Sequence, residues 1–314
     1  MFAKRQSPAP GSKGRAVRIK TRYSFTDFLF VCPAVLLLLI TTYYPVLELF
    51  NISFTNWNLI KDSRAYVGLK NWIWLFTSPV GTAALLNSLW VTVIYTVGNI
   101  AIVLVAGVLM ALLFNRLSKP YAFMRAVVFM PRYIAMSTAG VIFLWMMNKD
   151  YGILNGCLAA LGIQDKIGWV ENRNTAMISV LILTGWHGIG YGMMIYLSAM
   201  LGISRDYYEA ASLDGATGFA SFRYITLPLL SPTTLFLFIT TFISSMKVYQ
   251  SIDVLTGGGP YQATEVIVYY IYRLAFTDSR VDRASVVSIF FFLILLVITA
   301  STLRITNRNV HYEA

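Results

Sequence analysis

Thr184, His187, Gly188 and Tyr191 recur at i, i+3, i+4 and i+7. That spacing puts four residues on one helical face. Thr241, Ser244, Ser245 and Val248 repeat the interval. The chemistry open to such faces is noncovalent. Hydroxyls exchange hydrogen bonds, a tyrosine ring offers an apolar surface, and a glycine leaves room. A sugar, with apolar ring faces and a hydroxyl rim, suits that combination. The plainer reading is packing, because small and hydroxylated residues also let membrane helices approach closely. The residues alone leave both readings open. His187 is the only histidine in an apolar run, and the last three runs hold no acid with which it would relay protons.

A second set lies in the polar stretch EAASLDGATGFASFRYITLP, Glu209 to Pro228. Asp206 and Glu209 have capping-box spacing, with Asp206 as N-cap. A helix of about two turns is expected over Tyr207–Leu213, stopped by Asp214-Gly215. A second short helix is expected from Thr217 to Ile225, ended by Leu227-Pro228. Glu209 is the charged handle of this elbow. Ala210, Ala211, Gly215 and Ala216 allow close approach of another surface. A capped, solvated connector is the alternative.

No covalent chemistry is visible. There is no G-x-x-x-x-G-K-[ST] phosphate loop, and Gly257-Gly258-Gly259 lacks the lysine. No catalytic triad, zinc helix or acidic pair within an apolar run occurs. Two histidines, His187 and His311, and two cysteines, Cys32 and Cys157, are too far apart for a metal site or an expected disulfide. No catalytic residue, bound metal or cofactor is therefore expected in this chain.

These residues need elements to hold them. The chain is 57% hydrophobic and 12% charged, about half the charge of an ordinary soluble domain. Spanning helices need about 20 mostly apolar residues. Six runs qualify: 25–50, 82–114, 122–147, 176–201, 233–252 and 284–303. The fold class expected is all-α integral membrane with six transmembrane helices. Seven of the basic residues crowd the first 22 positions, so the net charge of +11 reads as a membrane flank rather than a nucleic-acid surface. That tail lacks a clean cleavage site of the signal-peptide kind. Placing both termini in the cytoplasm puts fifteen Lys and Arg inside and nine outside, the favoured orientation. The organisation is then a basic tail (1–24), a six-helix membrane domain (25–303) with a cytoplasmic loop (202–232), and a short tail (304–314). Trp57, Trp72 and Trp74 suit an outer interface. Residues 261–276 read as a helix lying on the outer surface.

Two charges need comment. Lys247 costs about 2.5–3.5 kcal/mol at a helix centre. Near the outer end of its run it snorkels, or else bonds a solute or Asp253. Pro131-Arg132 reads as a kink with an interface charge at the start of the third span's core.

The elbow also carries a pattern. Glu209-Ala210-Ala211, three residues, Gly215, nine residues, Ile225, one residue and Leu227-Pro228 resemble the EAA signature of binding-protein-dependent ABC importer permeases. The resemblance extends over about residues 25–303. VGLKNW, GILNGCLAALG and LTGGGP with ATEVIVYYIYRLAF are similar to segments of the carbohydrate branch of type I importers. That branch includes the larger membrane subunit of the maltose transporter, whose additional N-terminal spans and large periplasmic domain are absent here. The resemblance implies a multi-pass subunit of the bacterial cytoplasmic membrane that forms half of a sugar or oligosaccharide pathway. Implied partners are a second permease, two ATPase subunits carrying ATP and magnesium, an extracytoplasmic binding protein, the sugar and membrane lipid. It implies ATPase coupling through Glu209, Ala210, Ala211, Asp214, Gly215, Ile225, Leu227 and Pro228. It places the two polar faces at the sugar site, although His187 and Val248 differ from the maltose subunit. A phosphorylated cargo such as glycerol-3-phosphate is the rival within transport. Phosphate wants Arg or Lys, and only Lys247 is near in sequence. An ion-coupled carrier or membrane enzyme would need buried acids or histidine pairs that the runs lack.

Overall fold

The computed structural model describes residues 25–60, 64–116 and 118–309. The tail 1–24 and residues 310–314 lie outside these. The described residues up to Glu48 form a unit of their own. In it α1 (Phe25–Leu38) contains Pro33 and runs through a π turn (Leu39–Tyr43) into the start of α2 (Tyr44–Ser53), whose residues from Leu49 belong to the second unit.

The second unit, from Leu49, is all helical among the described residues, apart from an isolated bridge between Thr55 and Tyr66. α3 (Lys70–Thr77) leads into α4 (Pro79–Ala101), capped by Ser78, whose hydroxyl accepts from Gly81 N. Through a π turn (Ile102–Ala106) α4 continues into α5 (Gly107–Leu113). The 35 residues of Pro79–Leu113 are about 50 Å long, more than the roughly 30 Å hydrocarbon core. Polarity on α4 is inside out. Ser88, Thr92, Thr96 and Asn99 are buried, while Leu86, Trp90 and Val97 are exposed. Lipid offers hydroxyls and amides no partner. They bond inward: Thr92 Oγ1 accepts from Ile267 N at 2.9 Å, and Asn99 Nδ2 donates to Ser245 Oγ at 2.8 Å.

The third apolar run is not one helix. α6 (Lys119–Phe129) passes into a 3-10 turn (Met130–Tyr133), and α7 (Met136–Met146) departs at 101°. Pro131 has no N–H to continue the ladder, and Ile134 is extended. α8 (Ile153–Ala160) follows. Its buried Asn155 ties the connector, with Nδ2 donating to Lys149 O and Ile167 O and Oδ1 accepting from Ile167 N and Trp169 Nε1. α9 (Arg173–Leu201) is the long central helix.

The elbow comprises α10 (Arg205–Leu213), α11 (Gly218–Ser221), a π turn (Phe222–Thr226) and α12 (Leu227–Leu229). α13 (Ser231–Met246) leaves it at 62°. The fifth run also breaks, since α13 stops at Met246 and α14 (Gln250–Leu255) restarts after Tyr249. α15 (Ile267–Tyr272) and a π turn (Arg273–Thr277) precede α16 (Val281–Asn309). The expected surface helix over 261–276 is instead internal. Ile267, Tyr270 and Leu274 are buried with Leu85, Val286 and Phe291. Their apolar stripe fills the space between α4 and α16 rather than meeting lipid.

Among the described residues, four helices are long and apolar enough to cross a membrane, or up to six if each bent pair is one span.

Candidate functional site

A cavity of about 460 Å³ opens between α4, α9, α13 and the turn before α7. All eight residues of the two predicted faces line it: Thr184, His187, Gly188, Tyr191, Thr241, Ser244, Ser245 and Val248. Three of the second set sit on α13 as expected. Val248 does not, because the helix ends at Met246 with Lys247 as C-cap. Val248 reaches the cavity from the loop.

Three hydroxyls of the wall are left as acceptors. Thr184 Oγ1 donates to Val180 O at 3.0 Å, Thr240 Oγ1 to Phe236 O at 2.9 Å, and Ser244 Oγ to Thr241 O at 2.9 Å. Each hydroxyl proton is spent on its own helix, which leaves the oxygen lone pairs for a donor. Two buried wall atoms, Asn99 Oδ1 and Ser251 Oγ, have no hydrogen-bond partner among the described residues.

His187 is committed to structure. Nε2–H donates to Ile134 O at 3.2 Å, the carbonyl freed by the broken helix. A carbonyl only accepts, so the proton belongs on Nε2. Nδ1 then accepts from Arg132 Nη1 at 3.5 Å. The two contacts describe one neutral tautomer.

Pro131-Arg132 sits at the expected kink, and the exposed Arg132 lines the cavity beside His187, with its guanidinium 5.3 Å from the Tyr191 ring centre. Close packing sets it there. A side chain on Gly190 would strike Val128 O and Phe129 Cα, so only glycine lets the α6 end lie on α9. The signal available in the sequence was a cation after proline midway through an apolar run. Tyr95, Asn99, Gln250 and Ser251 also line the cavity and were not predicted. Lys247 is exposed at its edge, with no ion pair to Asp253 among the described residues.

The elbow's caps differ in detail from expectation. Ser204, not Asp206, is the N-cap of α10, its hydroxyl accepting from Asp206 N. Asp206 sits in the first turn, where an acid favours the helix dipole. The helix ends on Gly215 at φ +76°. Gly215 N bonds Ser212 O and Ala216 N bonds Ala211 O, the paired bonds of a Schellman end. Thr217 caps the second arm. Pro228 does not end that arm, which runs through Leu229. At the start of α12 proline loses a bond to a loosened π turn rather than to a regular ladder. Tyr208 Oη and Thr226 Oγ1 pair at 2.9 Å and tie the arms together. Glu209, Ala210, Asp214, Gly215, Leu227 and Pro228 are exposed, and Ala211 and Ile225 half-buried. Leu213, Phe219 and Tyr224 are 89%, 76% and 77% exposed, an apolar tip on an otherwise polar element.

The profile of the family described as "Binding-protein-dependent transport system inner membrane component" matches residues 103–310. A probable ABC transporter permease protein of Bacillus subtilis is 32% identical over 275 residues, 87% of this chain and 92% of its own. The sn-glycerol-3-phosphate transport system permease protein of Agrobacterium fabrum is 31% identical over 288 residues, 91% and 96% of the two chains. The lactose transport system permease protein of Rhizobium radiobacter is 31% identical over 263 residues, 82% and 86%. In fold the chain matches a solved bacterial ABC transporter involved in import of the acidic polysaccharide alginate. The TM-score is 0.77 at 23% identity, covering 90% of this chain and 96% of the other.

Proposed function

The chain belongs to the binding-protein-dependent transport system inner membrane components, and from that premise we propose that it forms half of the pathway of an ATP-driven importer for a sugar-like solute. Six crossings, with each broken pair as one and both termini cytoplasmic, put the elbow on the ATPase side. A second permease closes the pathway. Two ATPase subunits hold the ATP and magnesium and perform hydrolysis. An extracytoplasmic binding protein delivers the solute. The chain itself makes no covalent bond.

One observation carries this reading. α9 lines the cavity at its middle and passes into the elbow at its end. From Tyr191 to Leu201 is about 15 Å of continuous helix. Closure of the ATPases on the elbow's exposed tip moves α9, and α9 moves the cavity wall. The solute class follows from the acceptor hydroxyls beside the Tyr191 ring, and relatives that carry lactose or glycerol-3-phosphate have polyhydroxylated cargo.

Gly215→Val tests the coupling. Its φ is costly for a β-branched residue, and no neighbouring atom lies within reach of the added Cβ, so the damage is confined to the elbow's turn. Uptake of labelled solute into cells should fall at least tenfold, an effect of about 1.4 kcal/mol or more, with the chain still inserted. Wild-type uptake would remove the coupling role.

A further inference from the structure

The cavity wall combines hydroxyl acceptors with two cations, Arg132 and Lys247, and its lining contains no Asp or Glu. We propose that the transported solute carries an anionic group, phosphate or carboxylate, held at the Arg132–Lys247 pole while its hydroxyls face α9 and α13. This rests on the cavity being the solute site of the proposed importer.

Arg132 has five N–H donors. One is directed at His187 Nδ1, and the guanidinium faces the Tyr191 ring. The other donors have no protein partner among the described residues. Lys247 has neither an ion pair nor a side-chain hydrogen bond among them. Asp253, the acid closest to Lys247 in sequence, makes no ion pair with it among the described residues. Elsewhere in the fold Arg273 pairs with Glu265 and Asp278, and Arg280 with Asp282. Two like charges left unmatched on one cavity wall, both exposed, repel each other. An anion relieves that repulsion and takes charge-assisted hydrogen bonds from the guanidinium fork. The neutral His187 tautomer fits this arrangement, because it accepts from Arg132 and holds the fork in place without adding a third charge. A neutral sugar satisfies the hydroxyl wall but leaves the cationic pole unmatched.

The test is equilibrium binding to the purified complex of this chain with its co-isolating transport subunits. The probes are sn-glycerol-3-phosphate, a uronic-acid trisaccharide and maltotriose. The proposal expects one anionic probe to bind at least about tenfold tighter than maltotriose. Which of the two does so separates phosphate from carboxylate. Arg132→Gln and Lys247→Gln should each erase that margin, Arg132→Lys should keep part of it, and added salt should shrink it. Anionic probes that bind no tighter than maltotriose, undetectable binding included, overturn the proposal. So does a margin that both Gln variants leave intact. Variants are compared only where the complex assembles in wild-type yield. Ser244→Trp fills the cavity and separates the two readings. If it leaves binding of every probe unchanged, the site itself is elsewhere. If it blocks maltotriose while Arg132→Gln does nothing, the site stands and the anion falls.

Discussion

Arg132, His187 and Gly190 form one device at the scale of single residues. The glycine admits the α6 end, the broken turn frees Ile134 O, and the imidazole occupies that carbonyl while accepting from the guanidinium. Gly190→Ala should therefore act on a side chain it does not touch. The added methyl overlaps backbone rather than a flexible side-chain tip, and such overpacking costs about 1–3 kcal/mol. The expected result is solute affinity lowered about tenfold in a complex that still assembles. Unchanged affinity would mean Arg132 is not held by this packing. The α9 face was legible in the sequence because four polar or small residues kept helical spacing through an apolar run. Arg132 was not, because its neighbours lie 55 residues away. Only the 101° break brings them together.

Elements obey the same division. α9 and α16 followed their apolar runs closely. The third and fifth runs did not, because hydropathy registers composition and not hydrogen-bond continuity: Pro131 and the Lys247–Tyr249 loop interrupt the ladder without interrupting the apolar run. The elbow's two arms were legible from polarity and from Gly215. Its caps slipped by two residues at Ser204, since serine and aspartate are equally good N-caps. The connector before α16 was misread outright. Its buried stripe is held by Glu265, which is 1% exposed and takes hydrogen bonds from Arg273 Nε at 2.6 Å and Nη2 at 3.3 Å. Burial holds this carboxyl above its ordinary range, although Arg273 pulls the other way. Arg273→Ala removes that opposing pull and strands the carboxylate, at a cost on the order of 3 kcal/mol when ionised. A raised folded-state pKa means the folded chain binds more protons than the unfolded one, so stability falls as pH rises. The variant's loss of melting temperature should therefore be larger near pH 8 than near pH 5.5. Equal losses at both would show that ionised Glu265 is not the group destabilised.

For the whole molecule, the account joins a cavity to an exposed tip through one helix. Neither end explains itself alone. The cavity is lined by one chain only, and the tip presents Leu213, Phe219 and Tyr224 on an otherwise polar element. Polar residues turned inward and apolar residues turned outward on α4 are consistent with a bilayer around the bundle. The elbow's charged and capped residues are not, which is why it reads as lying beyond the membrane and against a partner. The most direct measurement is photo-crosslinking from position 213 in native membranes, with a photoreactive residue replacing Leu213. The account predicts an adduct with an ATPase subunit, its yield altered by ATP. An adduct with lipid alone, or none while the chain is normally inserted, would contradict it.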